Sequence, residues 1–207
     1  MIYWITVYVV YWLFKIFFSL KVKGLENIPS KGTFIIACNH ASYLDPMVVG
    51  CSSRRKINFL AKEELFKNKF FSWYLKKLNV SPLKRYSSDS RALMGAIRKL
   101  RKGKGLVIFP EGTRSNDGSI REGKIGVSVL SFITKAPVTP CYVKGGYDIW
   151  PPNSHFFHKG KLAIFLGKPL GLSLVREGRK KEDYYEFAQK IMSHIKALKD
   201  KASYGYD

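Results

Sequence analysis

Two short segments of the sequence hold side chains whose types and spacing could do chemistry. The first is NHASYLD, in which Asp45 follows His40 by five residues. A histidine beside a carboxylate is a possible general base, because the carboxylate accepts from one imidazole nitrogen and leaves the other free to take a proton. On one continuous helix five residues turn by roughly 500°, which would keep the two side chains apart. The pair therefore requires a turn between His40 and Asp45.

A structural explanation of the same residues remains open. Asp45 precedes Pro46, so its side chain could cap the start of a helix, and His40 could be an ordinary turn residue. Histidine–aspartate pairs at this spacing often arise by chance. The spacing alone therefore favours the structural explanation.

The second segment is FPEGTRS, residues 109–115. Arg114 can hold a phosphate through two parallel hydrogen bonds, and Glu111 can accept hydrogen bonds from hydroxyl groups. Gly112 stands between them and lets a ligand approach the main chain closely. An exposed Glu–Arg ion pair in a loop is the structural alternative.

Alternating strands and helices are expected to position these two segments. Short apolar runs predict strands over residues 32–40, 57–61, 106–109, 137–143 and 162–166. Helical periodicity and end signals predict helices over residues 46–53, 90–102, 124–135 and 182–199. The alternation predicts an α/β fold, a single domain with a mainly parallel sheet flanked by helices. Both segments follow predicted strands, and ligands in such sheets gather at the carboxyl ends of strands.

The apolar, aromatic-rich composition of residues 1–22 predicts a membrane-associated helix. We expect this helix to precede a folded domain over residues 23–207. The first fourteen residues carry no charged side chain and are rich in tyrosine and tryptophan, which suits a membrane interface. A spanning helix needs about 20 apolar residues, so the helix could span the bilayer, lie in one leaflet, or be a buried core helix. If it spans, the lysine and arginine excess after it places the domain on the cytoplasmic side of the cell membrane.

Composition excludes several classes of protein. The 207 residues are 46% hydrophobic, which favours one folded domain over intrinsic disorder. Three scattered cysteines with no CxxC pair argue against a disulfide-stapled scaffold. The sequence has no spacing typical of a metal site, and no metal is expected. The 36 Lys and Arg residues against 15 Asp and Glu give a net charge of +21, which indicates an anionic partner.

Much of that charge lies in one stretch, residues 54–104. It holds sixteen Lys and Arg residues against three acidic ones, a net charge of +13, interleaved with aromatic residues. Such a stretch suits docking onto an anionic leaflet, and it would also attract a phosphorylated lipid or an acidic carrier protein. A solvated basic face is the alternative.

Together, NHASYLD and FPEGTRS resemble the lysophosphatidic acid acyltransferase family of glycerolipid acyltransferases. An HX4D pattern is weak alone, but FPEGTRS some seventy residues later makes the resemblance strong. Further matches extend it over roughly residues 23–170, at Lys62, Arg85, Lys124, Gly126 and residues 136–140. Two positions depart from the family pattern: Asn79 stands where glycine is usual, and Gly123 where an aromatic residue is usual.

The resemblance implies transfer of a fatty acyl group to the sn-2 hydroxyl of 1-acylglycerol 3-phosphate (lysophosphatidic acid), giving phosphatidic acid. The implied donor is a thioester of acyl-carrier protein or of coenzyme A, and no cofactor is implied. His40 is implied as the general base, with Asp45 orienting it. The substrate site is implied to comprise Glu111 and Gly112 around the glycerol, and Arg114, Arg85 and Lys62 on the phosphate. Thr113 is implied as a further substrate-binding residue.

Three alternatives stay open at this point. The acceptor could be glycerol 3-phosphate or another lysolipid. The charge could serve a nucleic-acid-binding module, but this would leave FPEGTRS and the apolar N-terminus unexplained, so nucleic acid is not the expected partner. A non-catalytic membrane-binding protein is the third alternative, and the intact His40 and Asp45 argue against it.

Overall fold

A seven-stranded sheet forms the centre of the computed structural model, which describes residues 1–84, 90–171 and 180–203. The strands are β1 (Lys21–Lys23), β2 (Phe34–Cys38), β3 (Ile57–Lys62), β4 (Val80–Leu83), β5 (Gly105–Ile108), β6 (Val138–Lys144) and β7 (Ala163–Leu166). Their order across the sheet is β1-β7-β6-β2-β5-β3-β4. The five strands from β6 to β4 are parallel, and β7 is antiparallel to β6. The prediction of a mainly parallel sheet is confirmed.

Helices cover both faces of this sheet. They are α1 (Ile2–Phe18), α2 (Asp45–Cys51), α3 (Lys69–Lys77), α4 (Ser90–Arg101), α5 (Gly126–Thr134), α6 (Gly146–Ile149) and α7 (Lys181–Ser203). Alternate side chains of β2 point to opposite faces. Phe34 and Ile36 pack into a core with α1 and α2, whereas Ile35 and Ala37 pack into a core with α4, α5 and α7. Because both faces of β2 are buried, each in its own core, its sequence is a continuous apolar run.

The predicted elements are present, and four further ones were not foreseen. These are the short strands β1 and β4, helix α3 within the basic aromatic stretch, and the single-turn helix α6. In β1 (KVK) one apolar residue stands between two lysines, and in β4 (VSPL) serine and proline interrupt the apolar residues, so neither strand shows a recognisable apolar run. In α3 the apolar residues lie among lysines, and its start is marked by Asn68, whose side chain accepts from the main-chain N–H of Phe71.

Helix α1 has 17 residues and is therefore about 26 Å long. No helix in the described part of the chain has both the length and the apolar character needed to cross a bilayer. The inner face of α1 packs on the domain: Phe14 is buried, and the buried Tyr3 accepts a hydrogen bond from the Ile57 N–H through its hydroxyl (3.0 Å).

The opposite face of α1 is apolar and open to solvent. Its side chains are between 46% and 70% exposed and recur every three or four residues: Ile5, Tyr8, Val9, Trp12, Leu13, Ile16 and Phe17. Helix α1 is thus apolar on both sides, and only one side is covered by the domain.

Candidate active site

The two motif segments lie side by side at the carboxyl edge of the sheet. NHASYLD begins directly after β2, the strand between β5 and β6, and FPEGTRS begins directly after β5. The two strands are paired in parallel, with Ala37 opposite Ile108. The expectation that both segments meet at one edge of the sheet is therefore met.

A tight turn brings the carboxylate of Asp45 back to His40. Oδ2 of Asp45 lies 2.9 Å from Nδ1 of His40 and also accepts from the main-chain N–H groups of Ala41 and Ser42, each at 2.7 Å. A carboxylate only accepts hydrogen bonds, so Nδ1 must be the donor. Nε2 of His40 is then the nitrogen with a lone pair for a proton.

The alternative in which Asp45 caps a helix is not what the structure shows. Helix α2 is preceded by Leu44 at its N-cap position, with no side-chain cap, and Asp45 is its first residue. The Asp45 carboxylate bonds backwards to His40, Ala41 and Ser42 instead. With 1% exposure it is screened from water.

The main chain and ring of His40 are held by the FPEGTRS segment. The N–H of His40 donates to Oε1 of Glu111 (2.9 Å), and its carbonyl accepts from the N–H of Ser115 (2.8 Å). Its imidazole stacks on Phe109 with ring centroids 4.1 Å apart. The catalytic candidate is thus fixed by residues some seventy positions away, which explains why the two motifs occur together.

The carboxylate of Glu111 accepts hydrogen bonds from main-chain N–H groups in this structure. Its second oxygen accepts from the N–H of Arg121 (3.1 Å), so both carboxylate oxygens already bind amides. Burial raises the pKa of the Glu111 carboxyl above its usual value, while the two amide hydrogen bonds act in the opposite direction. The hydroxyl-binding role that the sequence suggested for Glu111 stays a prediction.

Asn39 has a positioning role that sequence reasoning missed. Its side-chain oxygen accepts from the N–H of Val143 (2.8 Å), and its side-chain N–H donates to the carbonyl of Val143 (3.2 Å). The amide thereby continues the β2–β6 hydrogen bonding one residue past the end of β2. This fixes the point at which the chain leaves the sheet and turns to His40.

The guanidinium of Arg114 lies flat over the ring of Tyr43, with Cζ 3.5 Å from the ring centroid. Tyr43 in turn packs on Trp150, with centroids 5.0 Å apart. Nη1 of Arg114 is buried and has no hydrogen-bond partner among the residues that the structure describes. A buried guanidinium N–H without a partner is costly, and an anionic ligand would satisfy it.

Gly112 adopts a left-handed conformation with φ of 74°, which glycine reaches without strain. A Cβ placed on Gly112 would lie 3.1 Å from Nζ of Lys124, so the lysine side chain covers this glycine. Thr113 accepts a 3.4 Å hydrogen bond from the guanidinium of Arg121. Two cations, Lys124 and Arg121, therefore border the loop besides Arg114.

Of the two other predicted phosphate ligands, the structure describes Lys62. Lys62 is exposed at the carboxyl end of β3, separated from β2 by one strand of the sheet. No hydrogen bond or ion pair joins Lys62 to His40 or Asp45 in the described ranges. Arg85 lies outside the described residues.

Both departures from the family pattern have a structural counterpart. Asn79 has φ of 62°, in the left-handed region that favours glycine, and asparagine tolerates this region better than most residues do. A Cβ on Gly123 would lie 2.6 Å from Cγ of Met192 on α7, so the methionine occupies the space beside Gly123. Each departure is therefore accommodated locally.

No group of three or more potential metal-ligating side chains occurs within the described ranges. The described site contains the oriented imidazole of His40, the buried carboxylate of Asp45, and Arg114, whose Nη1 has no partner among the described residues. Such a site can take a proton from a hydroxyl group and hold an anionic group nearby.

Comparisons with known proteins agree with this chemistry. The family model described as Acyltransferase matches residues 19–144. The 1-acyl-sn-glycerol-3-phosphate acyltransferase of Bacillus subtilis is 31% identical over 187 residues, covering 88% of this chain and 89% of the relative. The yeast protein of that name is 28% identical over 204 residues, which is 93% of this chain and 64% of the relative. The crystal structure of the 1-acyl-sn-glycerophosphate (LPA) acyltransferase PlsC from Thermotoga maritima matches with a TM-score of 0.78 and 28% identity, covering 97% of this chain and 81% of that one.

Proposed function

Because the chain belongs to the acyltransferase family and is similar over most of its length to 1-acyl-sn-glycerol-3-phosphate acyltransferases, we propose that it acylates the sn-2 hydroxyl of lysophosphatidic acid to give phosphatidic acid. The observation that carries the proposal is the His40–Asp45 pair, joined at 2.9 Å. The adjoining FPEGTRS segment supplies Arg114, whose buried Nη1 has no partner in the described part of the chain. The enzyme class follows from the similarity to these relatives. The chemical steps proposed below are assigned to His40, Asp45 and Arg114.

His40 starts the reaction as a general base. An alcohol is a poor nucleophile at neutral pH, so Nε2 of His40 takes the proton as the sn-2 oxygen attacks the thioester carbonyl carbon. The C–O bond forms first, and the tetrahedral intermediate then breaks its C–S bond. The departing thiolate recovers the proton from the imidazolium, so the proton lost by the hydroxyl ends on the free thiol. Asp45 stabilises the imidazolium between these two steps.

We assign Arg114 to the phosphate of the acceptor. Tyr43 covers the guanidinium from one side, and a bidentate anion would bind the edge of the fork. The unpartnered Nη1 supports this assignment. Lys62 and Arg85 complete the proposed phosphate site, and Lys62 supplies charge from the end of β3.

The proposed acyl donor is a thioester of acyl-carrier protein or coenzyme A. Both carry a phosphate on the arm that ends in the thioester. We assign this phosphate to a cavity of about 400 Å³ between α4 and the β3–β4 edge, whose charged lining is mainly cationic. Its cationic lining residues are Lys84, Arg91 and Lys99, against the single carboxylate of Glu63.

We further propose that the enzyme works at the cytoplasmic leaflet of the cell membrane, where an acceptor with a fatty acyl chain resides. The exposed apolar face of α1 is suited to the hydrocarbon boundary, and the basic 54–104 stretch to anionic headgroups. Helix α3 adds exposed aromatic side chains at Phe70, Phe71 and Trp73.

Replacing Trp12, Ile16 and Phe17 together by serine should weaken binding to anionic vesicles in high salt, since salt screens only the charge contribution.

The test of the acceptor is an acyl-transfer assay with the purified full chain. Lysophosphatidic acid, glycerol 3-phosphate and lysophosphatidylethanolamine are offered in turn, each with acyl-carrier-protein and coenzyme A donors. The proposal expects phosphatidic acid as the main product. Faster acylation of either other acceptor would overturn the acceptor assignment, and rates with the two donors identify the donor.

A further inference from the structure

The loop after α6 exposes two adjacent phenylalanines. Phe156 is 77% and Phe157 57% exposed, although the segment is held by its own hydrogen bonds. The N–H of Phe156 donates to Oγ of Ser154 (3.1 Å), and the indole N–H of Trp150 donates to the carbonyl of Ser154 (3.0 Å). The aromatic pair is therefore presented outward by an ordered turn, which we call the Phe156–Phe157 loop (residues 151–159).

This loop adjoins the carboxyl end of α1. Phe157 lies against Phe18, with ring centroids 6.5 Å apart. Just beyond the loop, Leu162 donates its N–H to the carbonyl of Phe18 (2.8 Å), and its carbonyl accepts from the N–H of Lys21 (3.0 Å). Phe18, the last residue of α1, is half-buried against the core, but its neighbour Phe17 is exposed on the outer face. The two loop phenylalanines therefore adjoin the carboxyl end of the exposed apolar face of α1.

The charge around the loop fits an anionic lipid surface. Lys159 and Lys161 are exposed directly after the two phenylalanines, and Lys15 is exposed near the end of α1. Aromatic side chains flanked by lysines are typical of segments that sit at the headgroup level of a bilayer.

The inner side of the loop leads to the proposed phosphate site. Phe157 packs on Trp150 with centroids 4.5 Å apart, Trp150 packs on Tyr43, and Tyr43 carries the guanidinium of Arg114. The carbonyl of Trp150 also accepts from Oγ of Ser42, inside the turn that joins His40 to Asp45 (2.7 Å). A membrane contact here would place the bilayer beside the mouth of the acceptor site.

We infer that the Phe156–Phe157 loop is a second membrane contact, inserting its two phenylalanines into the same leaflet as the outer face of α1. The occupant is a lipid surface, because the exposed groups are aromatic and cationic and lie at the end of an exposed apolar helix face. The inference rests on the proposed function, in which a membrane-borne acceptor reaches Arg114.

Site-directed spin labelling tests this with the whole chain. The three native cysteines are buried, so a nitroxide attaches selectively at an introduced cysteine. Labels are placed by Phe156→Cys in the loop, Phe17→Cys on the outer face of α1, and Lys196→Cys on α7, which packs on the other face of the sheet. Vesicles of phosphatidylcholine and phosphatidylglycerol are then added.

The expected result is that labels at positions 156 and 17 become accessible to oxygen dissolved in the hydrocarbon and protected from a water-soluble nickel complex. The label at position 196 should not change. If only the label at 17 responds, the loop inference is wrong while the membrane proposal stands. If neither 17 nor 156 responds, the membrane part of the proposed function fails as well.

Partitioning provides an independent readout. Phe156→Ser should lower the vesicle partition coefficient roughly tenfold, which corresponds to the loss of one partly buried phenylalanine side chain. Phe156→Leu should keep the partition coefficient close to that of wild type, because leucine is also apolar. Equal partitioning of wild type and Phe156→Ser would overturn the inference.

Discussion

Replacing Asp45 by asparagine separates the charge of this residue from its geometry. Oδ2 of Asp45 accepts from two main-chain amides besides His40, at 2.7 Å each. In Asp45→Asn these amides hold the side-chain oxygen in the same place, because an NH₂ group cannot accept from them. Nδ1 of His40 keeps its acceptor while the negative charge is lost. The NH₂ group takes the place of Oδ1, which is buried and has no hydrogen-bond partner among the described residues.

The expected cost comes from the imidazolium that forms during the reaction. A hydrogen bond to a charged partner exceeds a neutral one by about 1–1.5 kcal/mol, which sets a lower limit near tenfold. Two unit charges at about 4 Å and an effective dielectric of 20 attract by about 4 kcal/mol, which sets an upper limit near 10³-fold. We therefore expect kcat of Asp45→Asn to fall between these limits, with a folded protein.

Asp45→Ala is the matched comparison. It leaves the buried N–H groups of Ala41 and Ser42 without an acceptor, at about 1–3 kcal/mol each, so the free energy of unfolding should fall by about 2–6 kcal/mol. Urea unfolding should therefore separate Asp45→Ala from Asp45→Asn.

Acyl transfer is measured for Asp45→Asn in the wild-type and the His40→Ala backgrounds. If Asp45 acts through His40, the asparagine substitution has no further effect once His40 is absent. An equal loss of kcat in both backgrounds would refute the reasoning, because Asp45 would then act independently of the imidazole.

Three further predictions concern the surrounding residues. Arg114→Ala should raise KM for lysophosphatidic acid by about 10- to 100-fold and leave KM for the donor nearly unchanged, and an effect confined to the donor would contradict the phosphate assignment. Tyr43→Leu should raise the same acceptor KM by about 2- to 30-fold through loss of the stacked ring, whereas Tyr43→Phe should keep it, and equal KM values for the two variants would show that the stack is unimportant. Burial holds the pKa of Glu111 above its ordinary value of 4.5, so the folded protein binds more protons than the unfolded chain between these two pKa values. The free energy of unfolding of wild type relative to Glu111→Gln should therefore fall as the pH rises through that window, and a difference independent of pH would contradict the assignment.

The fold was largely predictable from local pattern. Buried strands such as β2 and β5 appear as unbroken apolar runs, and the end signals of α4 mark its limits. The short strands β1 and β4 lack the unbroken apolar run that marks β5, which is no longer than β4. They exist because a neighbouring strand offers hydrogen bonds, which the local sequence does not encode.

The reacting residues were predictable, but the residues that hold them were not. His40 and Asp45 stand close in sequence, so their pairing required only a turn. The hydrogen bond between Asn39 and Val143 joins residues 104 positions apart in the sequence, and the one between Glu111 and His40 joins residues 71 positions apart. Such contacts depend on which strands become neighbours. Phe109 was recognised only as part of a motif, and its stacking on His40 emerges once β2 and β5 are paired.

The central claim is that Nε2 of His40 takes the proton of the acceptor hydroxyl, and the rate of phosphatidic acid formation by a His40→Gln variant tests it most directly. The variant is expected to fold, because His40 is held mainly through its main chain and the glutamine side chain can lie over Phe109. With lysophosphatidic acid and a thioester donor at saturation, kcat should fall by about 10²- to 10⁴-fold while the unfolding midpoint stays close to that of wild type. A folded variant that forms phosphatidic acid at the wild-type rate would contradict the account.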